Sequence, residues 1–496
     1  MRLLANAYKI LIGEVKMKKT LSAVIAHCAI ILALVILMGV LGLIAAGVAA
    51  EGTEKFTGEL ERNVTLRILE NDTAKEQGYL KELLDAFNSE YAEYGITAVD
   101  ANMDQYTDLE MGGPYGYGPD VLYQANDALM KYVDGTRKHI LPLPVEQLDC
   151  YGQTDAAAWN AYKLTIEKQD FICGVPVNIQ QPLLYYRKDL LPANWQTEWD
   201  EDNNGVPDMI ENWSALYRYS QKIRQDSGGS KYGYMKSLND GYFASGYFFS
   251  YGGYVFGGED GKDVSDVGFS QNDGYLGAKI IRQLASVMNL ECTEDTITKN
   301  SYSRMAQGAY FATMTTPDVY TMFVKEMVNA GYTEEYAREN IVMTDVPKLP
   351  KSGDLEDESA GFIDMTVMGG INGYAVSSYT KAPNAALEFV NFATSYKMIS
   401  RRAELLGISP VREDLAKELG GLNETIRDNL HNGSIYVMPS VRALAQVWTP
   451  LQTYCATLAD DALNNKNAYV TDEALKAGLK NVDSQIYAAI HTLGGS

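Results

Sequence analysis

Residues 174–192 constrain this chain more than any other stretch. They open on a Gly174-Val175-Pro176 turn, continue through Val177, Ile179, Leu183, Leu184, Tyr185 and Tyr186, and end on the charged step Arg187-Lys188-Asp189 before Pro192. The run is too rich in β-favouring residues and too short to be a long helix, so it reads as extended. Gln180 and Gln181 place two amides in its middle. A strand that is apolar at both ends and polar at its centre either turns two side chains to the surface or passes a cleft.

A chain of 496 residues exceeds one ordinary core and implies two lobes. The net charge is −22, and the first 50 residues hold Arg2, Lys9, Lys16, Lys18 and Lys19 against Glu14, so the remainder is more acidic still. That balance argues against nucleic acid, because phosphate binding needs a basic patch. It fits a neutral ligand better than an anionic one. Tyr is abundant at 34 residues, and its flat face and hydroxyl suit wet, polar ligands, although half-buried surface accounts for most tyrosines. Cys150, Cys173, Cys292 and Cys455 are widely spread without CxxC spacing, which argues against zinc. Their possible pairings stay open, with free buried thiols as the default.

Met17-Lys18-Lys19 and the uncharged run to Ala50 form a targeting segment. Val48-Ala49-Ala50 before Glu51 fits a signal-peptidase site. The run also reaches the ~20 residues that span a bilayer, so residues 1–50 are either a signal peptide or an uncleaved N-terminal anchor. The preceding cations put the N-terminus inside and the body outside. No lipobox cysteine follows the run, and Cys28 lies deep within it. Residues 51–62 read as a tether.

From residue 63 the chain alternates: strand 63–70, helix 77–91, strand 95–99, then a Gly118-Pro119 turn into a strand ending near Tyr123. Strand–helix–strand alternation predicts an α/β sheet with crossovers. Ligands in such sheets bind beyond the carboxyl ends of strands, which is where Asp127 falls. Later helices are expected over 213–224, 273–288, 384–393 and 473–490.

Residues 200–211 have the spacing of a calcium loop. Asp200, Asp202, Asn204, Asp208 and Glu211 occupy positions 1, 3, 5, 9 and 12, Gly205 stands at position 6, and Val206 offers its carbonyl. Hard oxygens at alternate positions wrap one ion, Gly205 permits the sharp turn, and Glu211 closes the shell. The alternative is an acidic surface turn. "Asn-Gly-Val-Pro-Asp" resembles the calcium loops of thrombospondin type 3 and dockerin-like repeats. A lone loop without an EF-hand helix pair points to a structural clip rather than a sensor.

The stretch 174–192, Gly118-Pro119-Asp120-Val121, Gly369-Gly370-Ile371-Asn372-Gly373-Tyr374, Gly407-Ile408-Ser409-Pro410-Val411 and Met438-Pro439 occur in an order that resembles the family 1 extracellular solute-binding proteins. Maltose- and maltodextrin-binding proteins are members. The resemblance implies an α/β, two-lobed periplasmic-binding-protein-like fold with three interlobe crossings. Lobe 1 would comprise 63–181 and 370–411, and lobe 2 182–369 and 412–490, with 200–211 inserted in lobe 2. It implies a monomeric receptor that carries a neutral oligosaccharide to ABC permease subunits.

The implied ligand contacts are Asp127, Gln180, Gln181, Asp240, Tyr242, Asp318, Tyr320 and Trp448. Asp240 and Tyr242 align with an acidic and an aromatic contact, and Trp448 has the spacing of a stacking tryptophan ten residues after Met438. Gln180 stands where maltose-binding members carry a carboxylate. A second family tryptophan is replaced by the region of Asp318 and Tyr320, which separates this chain from a strict maltose binder. Two other classes stand beside it: a secreted carbohydrate-active enzyme drafting Asp127 and Asp240 as its carboxylate pair, and a ligand-binding partner of a membrane sensor. H-E-x-x-H, G-x-S-x-G and phosphate-loop motifs are missing, so the resemblance implies no catalysis.

Overall fold

Lobe 1 is built on a sheet whose strands are not in chain order. The computed structural model describes residues 55–492 apart from 107, 136, 167, 259, 295 and 296; the targeting segment 1–50 lies outside the described residues. Strand β1 (Thr65–Leu69) pairs in parallel with β2 (Thr97–Asp100) and β3 (Val121–Ala125). Parallel neighbours need crossovers, and the helix Tyr79–Glu90 supplies one. Its Tyr79, Leu80, Leu83 and Phe87 are buried, the stripe of a helix lying on a sheet. Three further strands enter antiparallel: β4 (Val175–Gln180), β9 (Val367–Val376) and β10 (Ser409–Pro410). The order is β10-β4-β9-β3-β1-β2.

Lobe 2 has a four-stranded sheet of order β8-β5-β7-β6, made of β5 (Leu183–Arg187), β6 (Tyr232–Tyr234), β7 (Tyr310–Thr315) and β8 (Ile341–Thr344). β5 is buried along its whole length between two antiparallel neighbours, with Leu184 opposite both Met314 and Thr344. This explains its unbroken apolar run. Arg187 ends it as a buried cation, donating through Nη1 to the Met305 carbonyl at 2.5 Å and paired with Asp189 at 2.6 Å. Helices Trp213–Asp226, Gly241–Phe249, Tyr275–Ser286, Trp448–Leu463 and Asp472–Thr492 complete the lobe.

The chain passes between the two sheets where β4 hands over to β5, at Gln180 and Gln181. β9 runs beside this passage, within the first sheet. Its first residues pair in parallel with β11 (Ile435–Val437), Val367 opposite Ile435, and its last pair with β3, Val376 opposite Val121. After β10 the helices Glu413–Leu419 and Leu422–Asn432 lead the chain to β11. The strands that link the lobes thus lie side by side, which is the arrangement of a hinge. Cys150, Cys173, Cys292 and Cys455 are buried, unpaired thiols. No helix among the described residues is long and apolar enough to cross a membrane.

Candidate functional site: the interlobe cleft

Gln180 is the knot of the hinge. Its Nε2 donates to Asp318 Oδ1 at 3.3 Å, its Oε1 accepts from Asn372 Nδ2 at 3.1 Å, and its carbonyl accepts from the Tyr242 hydroxyl at 3.1 Å. One residue therefore joins β4, β9, the turn after β7 and the start of helix Gly241–Phe249. Asp318 stands in the short turn Pro317–Val319, immediately beyond β7. Asp127 stands in the short helix Asn126–Met130, immediately beyond β3. Both occupy strand ends, where open α/β sheets expose loops to ligand.

Burial first, and then the negative charges of Asp318, Asp240 and Asp127 in that order, push the Tyr242 phenol far above the ordinary range. Its hydroxyl therefore stays protonated, as the bond it donates to the Gln180 carbonyl requires. Burial also pushes the Asp127 carboxyl upward. Asp240 caps its helix, accepting from the Tyr242 amide at 3.2 Å. Next to it, Gly241 leaves room for an indole: a Cβ there would meet Trp448 Cε3 at 3.1 Å. Trp448 begins its own helix and is half-buried. Gln180, Asp318, Tyr242 and Asp240 are thus joined by hydrogen bonds, with Trp448 against Gly241 beside them.

Two of the sequence-derived residues are placed differently. Gln181 follows Gln180 along extended chain, and consecutive side chains point to opposite faces. It is fully buried, and its Nε2 donates to Asp345 Oδ1 at 3.2 Å. Asp345 also accepts from Asn429 Nδ2 at 2.8 Å, and burial raises its carboxyl. Tyr320 starts the helix Tyr320–Asn329, and its hydroxyl donates to the Arg338 carbonyl at 3.3 Å, within lobe 2.

Lys236 was not singled out from sequence. It is only 2% exposed, and its Nζ lies 3.4 Å from the Phe243 ring centroid. Burial pulls its ammonium down to about 8, opposed by Asp240. A lysine two residues beyond a short strand carries no sequence signal of burial; the Phe243 ring and Asp240 are needed to see it. The depressed value has a consequence for stability. The unfolded chain holds this proton up to about 10.5, so between about 8 and 10.5 the unfolded state binds more protons and stability rises with pH. Compared with Lys236→Met, the wild type should gain on the order of 3 kcal/mol across that window. Urea unfolding of both proteins at its two ends measures the gain, and parallel curves would refute it.

The acidic loop lies elsewhere in lobe 2. Oxygens of Asp202, Asp208 and Glu211 all fall within 4.8 Å of one another. Asp200 Oδ2 accepts from the Gly205 amide at 3.2 Å, and Asn204 Oδ1 from the Val206 amide at 2.7 Å. Glu211 also lines a pocket of about 340 Å³ with Asp345 and Asn429.

Three comparisons bear on this architecture. The Galactooligosaccharide-binding protein of Bacillus subtilis (strain 168) is 25% identical over 413 residues, covering 80% of this chain and 85% of the relative. The Maltodextrin-binding protein MdxE of the same organism is 23% identical over 435 residues, covering 86% and 92%. A cyclo/maltodextrin-binding protein solved with maltotetraose superposes with a TM-score of 0.65 at 20% identity, over 88% of this chain and 99% of that one, which bears out the two-lobed α/β fold. Residues 71–398 match the bacterial extracellular solute-binding protein family, and this chain belongs to that family.

Proposed function

We propose that the protein captures a neutral oligosaccharide between its lobes and delivers it to the permease of an ABC importer. The observation that carries this reading is Gln180 on the linking strand, which bonds Asn372 of the lobe 1 sheet and, in lobe 2, Asp318 and the Tyr242 hydroxyl. Carboxylates accept paired hydroxyl hydrogen bonds, and an indole stacks on the C–H face of a sugar ring. Carboxylates from both lobes repel an anionic ligand, and Lys236 offsets only one charge. The names of the two relatives, one for galactooligosaccharides and one for maltodextrins, support the oligosaccharide class. Gln180 and Asn372 ride on the linking strands, so ligand bonds to either lobe bias closure. The body acts outside the membrane as a monomer, with residues 1–50 as a signal peptide or anchor.

The test is calorimetric titration with galacto-oligosaccharides, maltodextrins, xylo-oligosaccharides, raffinose-type sugars and short peptides. Saturable binding to one glycan series at micromolar or tighter affinity, without product release, is the expected result. Binding to peptides alone, or slow hydrolysis of a bound glycan, would overturn the reading.

A further inference from the structure

We infer that residues 200–211 form a calcium site that fixes the start of helix Trp213–Asp226. Clustered acids alone are common on an acidic surface. The separate observation is Asp200: it is 9% exposed, and its Oδ1 is buried with no hydrogen-bond partner. Its Oδ2 accepts from the Gly205 amide across the loop at 3.2 Å, which holds the carboxyl against the turn. A buried carboxylate oxygen without a donor is costly, and a cation is what satisfies it.

The surroundings fit a cation. Asp202, Asp208 and Glu211 present oxygens within 4.8 Å of one another. Between Asp202 and Glu211 the positive density comes from the Asn204 amide, whose Nδ2 donates to Asp202 Oδ2 at 3.1 Å and Glu211 Oε1 at 2.9 Å. Arg218 pairs with Glu201 at 3.6 Å and with Glu358, outside the cluster. Gly205 has φ +81, the left-handed turn this geometry needs.

The donors are all oxygen, which excludes ions that need nitrogen or sulfur. Six donors from Asp200, Asp202, Asn204, the Val206 carbonyl, Asp208 and Glu211 match the flexible shell of calcium better than the strict octahedron of magnesium. The ion would act on the fold through Glu211. The Glu211 carbonyl accepts from the Lys348 amide at 2.8 Å, and the Trp213 amide donates to the Lys348 carbonyl at 2.9 Å. Calcium thus ties the loop to the segment after β8, and Asn212 then caps the helix through the Ala215 amide at 2.7 Å.

Terbium is the probe, because Trp199 immediately precedes Asp200 and can sensitise its emission. The chelated full-length protein should give saturable terbium luminescence, displaced by calcium at tenfold or more lower concentration than magnesium. Calcium at about 5 mM, in the range of extracellular modules, should raise the melting temperature by a few degrees. Asp202→Asn, an exposed change that leaves the fold intact, and Glu211→Gln should each weaken terbium binding tenfold or more. Absence of sensitised emission, displacement by magnesium as readily as calcium, unchanged melting in calcium, or full binding by both variants would each overturn the site.

Discussion

Trp448→Ala is expected to weaken oligosaccharide binding by roughly 30- to 150-fold, the 2–3 kcal/mol that a buried aromatic anchor carries. The indole lies against the first turn of helix Gly241–Phe249, beside the Asp240 cap and Tyr242. Losing it removes the flat apolar surface and leaves the carboxylates to hold the ligand by hydroxyl bonds alone. The indole also packs on lobe 2, so a loss of fold must be separated from a loss of contact. Gly241→Ala makes that separation. Its Cβ would press Trp448 Cε3 at 3.1 Å, shifting the ring without deleting it. Calorimetry should then show a few-fold weaker affinity with little change in melting temperature. Unchanged affinity in both variants would make Trp448 a core anchor only.

The hinge was legible because it is local. A run buried on both sides of two amides is what the passage from β4 to β5 requires, and residues 174–192 carry it without a gap. The places of Asp127 and Asp318 just past a strand were legible, because a strand end is read from neighbouring residues. The partners of Gln181 and Tyr320, Asp345 for one and the Arg338 carbonyl for the other, do not show in spacing. Lys236 and Asn372 acquire their places from distant partners, Phe243 with Asp240 for one and Gln180 for the other. The loop 200–211 was readable in full as a spacing, but Asp200's unpartnered oxygen appears only after the loop is folded.

Arg402→Met is expected to cost about 3–5 kcal/mol of stability, a large share of what holds any domain together. Arg402 and Glu70 lie 332 positions apart, and both are 0% exposed. The guanidinium reaches the two carboxylate oxygens at 2.8 and 3.0 Å, and Tyr374 donates its hydroxyl to the same carboxylate. The Tyr123 ring covers the cation at 3.8 Å and the Tyr79 ring at 4.8 Å. Glu70 follows β1, Tyr374 belongs to β9 and Arg402 to helix Tyr396–Leu406, so the pair clamps a linking strand to the centre of lobe 1. Removing the cation alone leaves a carboxylate in an apolar core with the Tyr374 hydroxyl and the Asn71 amide at 3.3 Å to satisfy it. Replacing both, as Glu70→Leu with Arg402→Met, removes the uncompensated charge and should recover most of the loss. Urea unfolding of the two single variants and the double gives the answer. A cost below about 1 kcal/mol for Arg402→Met would show that water reaches the site. A double variant no more stable than the singles would place the loss in packing beneath the Tyr79 and Tyr123 rings rather than in the stranded charge.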